Sequence, residues 1–172
     1  MKKLRHMGSG WLRYVTDSSL WIYLLHGDLV EKVFLLPWEF IVPDVVLVEV
    51  QWPWSWKLVT LGLKERELPS QMVIRVEEMV KKYPRHPGRI DLFALVLAIE
   101  EEAILLTGDK ALRKAAIQED IEAHGILWLL DEMVKRGAIS KAEGCRSLKL
   151  MDAGNQRLPR NGFKTRLEDW CH

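Results

Sequence analysis

The sequence predicts an α/β sandwich, a mainly parallel sheet with helices on both faces, and three observations carry that prediction. Residues 12–16 form a short extended run that ends in Asp17 and passes straight into "SSLWIYLLHGD", with the serine start and glycine stop of a helix. Further along, "IDLFALVLAIEEE", "AILLTGD" and "KALRKAAIQED" read as helix, strand and helix in succession. Strands that alternate with helices require parallel crossovers, which place helices over the sheet.

The remaining elements follow in order. A second helix is expected over residues 28–36, ending near Pro37. "EFIVPDVVLVEV" is a strand interrupted by Pro43, and its second half has two readings. The β-branched residues favour a strand, whereas Pro43 and Asp44 suit the first turn of a helix. The Trp-rich "QWPWSWKLVTLGLKEREL" reads as loop and then extended chain, and Pro69-Ser70 opens an amphipathic helix that reaches about Tyr83. "RHPGR" is a turn, and the helix after it is apolar almost all round, so it is buried on several sides. "GILWLLDEMVKRG", "SKAEGCRSLKLM" and "RLEDW" add helical segments that extend the same domain.

Composition bounds the function classes. The 172 residues suit one domain, and 48% hydrophobic against 28% charged residues excludes a disordered chain. Lys+Arg number 25 and Asp+Glu 24, so no global field attracts polyanions and any nucleic-acid contact must be local. Cys145 and Cys171 form no CxxC pair, which fits a reducing compartment better than a disulfide framework. The basic start "MKKLRHMGSGW" lacks a signal-peptide pattern, and nothing approaches the run of about 20 apolar residues that spans a membrane. A cytoplasmic protein is expected.

Four carboxylates stand in awkward places. Asp17 and Asp109 each end an apolar segment, Glu49 is embedded in "VLVEVQW", and Asp91 opens the most apolar helix. Singly, each has an ordinary explanation: Asp17 and Asp109 as helix caps, Asp91 as a complement to the helix dipole, Glu49 on a solvent face. If the four converge, they demand a cation, because converging carboxylates repel and burial disfavours their charge. Hard oxygen ligands without a Cys or His cluster select Mg²⁺ or Mn²⁺, a setting suited to phosphodiester hydrolysis. A haloacid-dehalogenase site would need an acid where Ser19 stands, and no P-loop is present.

In this order, "VTDSSLWIYLL", "IVPDVVLVEV" and "RIDLFALVLAIEEEAILLTGDKALRKAA" resemble the PIN domain, the nuclease fold of VapC-type toxins. The resemblance covers roughly residues 13–131, so residues 1–131 are read as a PIN-like nuclease domain and 132–172 as its helical C-terminal extension. It implies a three-layer α/β/α fold, a helix after Pro43, and a ribonuclease site dependent on Mg²⁺ or Mn²⁺. Asp17, Glu49, Asp91 and Asp109 fall on the family's acidic positions, which hold the metal and orient the attacking water. Ser19 and Thr107 match supporting hydroxyl positions. The resemblance also implies an RNA substrate, an antitoxin partner and a homodimer. Arg89 departs from the pattern, since some relatives carry a further acid there. A catalytically inactive binding module is the rival reading, and a DNA-directed nuclease is a third.

Lys110, Arg113 and Lys114 follow the last acid on one helix, where cations suit an incoming phosphate backbone. Arg113 has a second reading as a structural partner. Trp52, Trp54 and Trp56 are read as an interface before a base-stacking platform. The basic tail "RLPRNGFKTRLEDW" has the makings of a docking helix, against a default of solvated surface.

Overall fold

The computed structural model describes residues 11–51, 54–154 and 156–172. Among these residues the first elements are β1 (Leu12–Thr16), α1 (Ser18–His26), α2 (Val30–Val33), β2 (Trp38–Pro43) and α3 (Asp44–Leu47). It continues through α4 (Trp54–Leu61), β3 (Lys64–Arg66), α5 (Ser70–Lys82), α6 (Arg89–Glu100), β4 (Ile104–Leu106) and α7 (Lys110–Gln118). It closes with β5 (Ala123–His124), α8 (Ile126–Lys135), α9 (Lys141–Ala153) and α10 (Arg160–Trp170). The five strands lie in the order β3-β2-β1-β4-β5, and every pairing is parallel. This is the expected α/β/α sandwich.

Strand order places the functional edge. From β1 the chain steps to β2 and β3 on one side, then returns through α5 and α6 to β4 on the other. The connections leaving β1 and β4 diverge, which opens a crevice at the carboxyl ends of these two central strands. Register sets the depth of that crevice, because Thr16 pairs with Leu106 and both strands end level.

The two faces of the sheet differ in chemistry. Side chains alternate along a strand, so Tyr14, Trp38 and Phe40 share one face while Val15, Ile41 and Leu105 share the other. The aromatic face packs under α1, where the Trp21 ring meets Phe40 at 6.0 Å between centroids, and α9 lies on α1. The aliphatic face packs under α6, which crosses β1, β2 and β4 and buries Leu92 through Ala98. That near-complete burial explains why α6 shows no polar stripe.

Several sequence expectations need correction. The helix expected over 28–36 is a single turn, α2, and residues 34–37 turn towards β2. The predicted loop in the Trp-rich stretch holds α4, which buries Leu58 and leaves Trp54 and Trp56 exposed; Trp52 lies outside the described residues. After Pro43 the chain does turn helical, as α3. The tail docks on its own domain: α10 buries Phe163 and Trp170, and Arg166 Nε donates to Asp131 Oδ1 of α8 at 2.8 Å.

The cysteine expectation is overturned, since Cys145 and Cys171 form a disulfide with their Cα atoms 5.4 Å apart. The cause is the seam between α9 and α10, where Trp170 lies so close to Gly144 that a Cβ there would meet the indole at 2.8 Å. Cysteine usage therefore gives no argument for a reducing compartment. No helix among the described residues is long and apolar enough to cross a membrane. Thiol titration of the folded protein should find no reactive thiol, and reduction should lower its stability by roughly 2–4 kcal/mol in denaturant melts. Two free thiols, or an unchanged midpoint on reduction, would refute the bridge.

Candidate active site

Asp17 follows β1 and caps α1, accepting from the Leu20 N–H at 3.1 Å. It has no exposed surface. Ser19 Oγ donates to its carboxylate at 2.7 Å, and Thr107 Oγ1, just after β4, donates to Oδ2. Burial pushes the Asp17 carboxyl up to about 6, against the pull of the Thr107, Ser19 and Leu20 bonds, and the charge of Asp91 adds to the rise.

Each hydroxyl has one hydrogen, and both point at Asp17, so their lone pairs serve the next turn. Ser19 Oγ accepts from Gly108 N at 2.8 Å, and Thr107 Oγ1 accepts from Asp109 N at 2.9 Å. The turns after β1 and β4 are thus locked together. Gly108 is required sterically: a Cβ there would lie 2.3 Å from Tyr23 Cε2 and 3.0 Å from Ser19 Oγ.

Asp109 caps α7 through Oδ1, which accepts from Ala111 N at 2.6 Å and Leu112 N at 3.0 Å. Asp91 lies in the first turn of α6, where Oδ2 accepts from Gly88 N at 3.2 Å. Burial raises its pKa, and the charges of Asp109 and Glu49 raise it further. Glu49 is exposed beyond α3 and is tied to α1 by Ser18 Oγ, which donates to Oε2 at 2.6 Å. Sequence reasoning missed Ser18, although the Asp-Ser-Ser run was its only available signal.

Asp91 links the acids electrostatically, since its charge acts on Asp17 and the charges of Asp109 and Glu49 act on it, although no three His, Cys, Asp or Glu side chains among the described residues close into a metal ligand set. The donor chemistry fits a hard divalent cation. A buried carboxyl shifted upward, beside a second one raised by two further charges, is relieved when a cation enters.

The basic residues divide. Arg113 Nη1 donates to the Thr107 carbonyl at 2.7 Å, so it braces the β4–α7 turn. Lys110 and Lys114 are exposed on the same helix. Arg89 is turned to Glu77 of α5, with Nε to Oε1 at 2.8 Å, and lies over the Phe93 ring. Ser19, Asp109 and these α7 cations border a cleft of about 1030 Å³ that adjoins the acidic centre without including Asp17, Glu49 or Asp91.

The Asp17 shift fixes the sign of a pH effect. The folded state keeps a proton that the unfolded chain releases near 3.8, so stability falls as pH rises through that value to about 6. In EDTA, denaturant melts should show a loss of about 3 kcal/mol between about pH 3 and about pH 7.5 that Asp17→Asn largely removes. The same pH dependence in both proteins would contradict this electrostatic account.

Solved structures with a similar fold include the PilT N-terminus domain protein SSO1118 from the archaeon Sulfolobus solfataricus P2. It is 16% identical, with 72% of this chain and 94% of that chain covered and a TM-score of 0.48. VapBC-1 from nontypeable Haemophilus influenzae is 18% identical, with 66% and 98% covered and a TM-score of 0.49. VapBC2 from Rickettsia felis, bound to a promoter DNA fragment, is 12% identical, with 66% and 98% covered and a TM-score of 0.46. No curated protein is significantly similar. The family model DUF3368, described as a PIN domain, matches residues 13–170. That match runs from β1 into the last turn of α10, and the chain belongs to the PIN domain family.

Proposed function

We propose that this PIN domain is a metal-dependent endoribonuclease that acts as the toxin of a toxin–antitoxin pair. The observation that supports it most is that Asp17 and Asp109 follow the level ends of β1 and β4 and are tied together through Ser19 and Thr107, with Asp91 linked electrostatically to Asp17, Asp109 and Glu49. In this reading the four carboxylates hold Mg²⁺ or Mn²⁺, which supplies an acidified water and neutralises charge growing on the phosphate.

The protein's own groups prepare that chemistry. Asp17 is held by three donors, so its orientation costs no reorganisation when substrate arrives. Asp109 uses Oδ1 for both capping bonds, so Oδ2 is the oxygen with which it would hold a cation. Asp91, with its pKa raised by burial and by the charges of Asp109 and Glu49, is the acid whose charge an entering cation would relieve. Glu49 is steadied by Ser18. An RNA substrate, an antitoxin that covers the protein and a homodimeric state complete the reading through the family resemblance.

Arg89 supports a second reading, a PIN-fold module without catalysis that binds protein or RNA, because a cation opens α6 where an acid would strengthen the centre. The two readings separate in one set of measurements. Purified protein should cleave single-stranded RNA with Mg²⁺ or Mn²⁺ and not in EDTA, and Asp17→Asn or Asp91→Asn should cost roughly 10²-fold or more in rate while the fold persists by circular dichroism. Metal should also stabilise the wild type, by about 2.7 kcal/mol at a hundredfold excess over Kd, and should not stabilise Asp17→Asn. Absence of both cleavage and metal stabilisation favours the binding module.

A further inference from the structure

The cleft beside Asp109 has a wall that the sheet does not build. One side is formed by α1 and α7, and the other by the first turn of α8 together with the strap of residues 156–159 that joins α9 to α10. The strap is fixed in place: Tyr23 Oη donates to the Arg157 carbonyl at 2.9 Å, and Leu158 is buried. Arg157 itself is exposed, so its guanidinium stands at the cleft on an anchored backbone.

The lining is asymmetric in charge. Lys110, Lys114 and Arg157 are exposed there, Arg113 is engaged by the Thr107 carbonyl, and Asp109 is the sole carboxylate among the described lining residues. The apolar floor of the cleft has Ile22 and Ile117 exposed, Ile126 and Leu127 buried, and Trp128 half-buried with its ring stacked on His124. Cations flanking an apolar floor match a single strand of nucleic acid, whose phosphates seek charge while its unpaired bases seek apolar contact. A duplex would keep its bases stacked and leave the floor wet. At about 1030 Å³ the cleft is at the upper end of small-ligand sites, and its one carboxylate also belongs to the acidic centre.

We infer that the strap carrying Arg157, with Lys110 and Lys114 of α7, forms a subsite that positions single-stranded RNA next to the acidic centre. The C-terminal helices then act as a substrate-selecting element, and Arg157 is a positioning residue. The choice of RNA as the polyanion rests on the nuclease reading above.

The test is anisotropy of a fluorescein-labelled single-stranded oligoribonucleotide in EDTA, where no cleavage occurs. Arg157→Glu and Lys114→Glu should each weaken binding several-fold, and the double variant roughly tenfold or more, with the salt slope reduced by about 0.7 per lost phosphate contact. Lys81→Glu, the same charge change at the end of α5, should bind as the wild type does. Arg157→Gln, a milder change, guards against misfolding and should give an intermediate loss. In cleavage assays, Arg157→Gln should raise KM and leave kcat within about twofold.

Wild-type failure to bind the strand, unchanged affinity in the cleft variants, or an equal loss in Lys81→Glu would each overturn the subsite. Preference for a duplex of the same sequence would overturn it too. Metal-dependent cleavage with unaltered binding in the cleft variants would leave the nuclease standing and remove the subsite. Strand binding that the cleft variants abolish, in a protein that never cleaves, would do the reverse.

Discussion

A carboxylate with no exposed surface governs this structure. Asp17 can remain charged only if donors replace the water it has lost, and an isolated ionised group would cost several kcal/mol or take up a proton. Its donors come from two turns that are far apart in sequence: Ser19 and Leu20 after β1, and Thr107 after β4. They meet only if β1 and β4 are neighbours that end level, which the parallel pairing of Thr16 with Leu106 provides. A shift of one residue would also reverse the faces of the strand. The register of the central sheet and the shape of the acidic centre are thus one requirement.

The same requirement shapes the surroundings. Gly108 allows the β4–α7 turn to lie against Tyr23 and Ser19, where a larger residue would separate the turns. Arg113 satisfies the Thr107 carbonyl, and Arg89 is balanced by Glu77, so two cations near the acids serve structure. Asp17 and Asp109 both cap helices, and each carboxylate has more acceptor positions than its cap needs.

Much of this was legible in the sequence, and the reasons are local. Asp17 and Asp109 each interrupt an apolar run at a strand end, and both are caps as expected. The buried helix α6 announced itself by apolarity on all sides. What was hidden depended on short elements or distant contacts. The two residues of β5 carry no periodicity, and α4 buries only Leu58, too little to mark a helix beside a Pro and three Trp. The Cys145–Cys171 bridge exists because α10 folds back on α9, and the Ser18–Glu49 bond joins residues 31 apart. Neither follows from spacing. The division of Lys110, Arg113 and Lys114 into two exposed cations and one brace likewise needed the position of the Thr107 carbonyl.

The strap of residues 156–159 belongs to neither the sheet nor the turns that hold the acids; α9 and α10, stapled to each other at Cys145 and Cys171, carry it. Its one tie to the turns is the backbone carbonyl of Arg157, which Tyr23 holds, so the exposed side chains of the strap are not part of the support of the carboxylates. The architecture thus builds the cleft from two independent supports, one wall from the turns of the sheet and the other from a disulfide-linked helix pair.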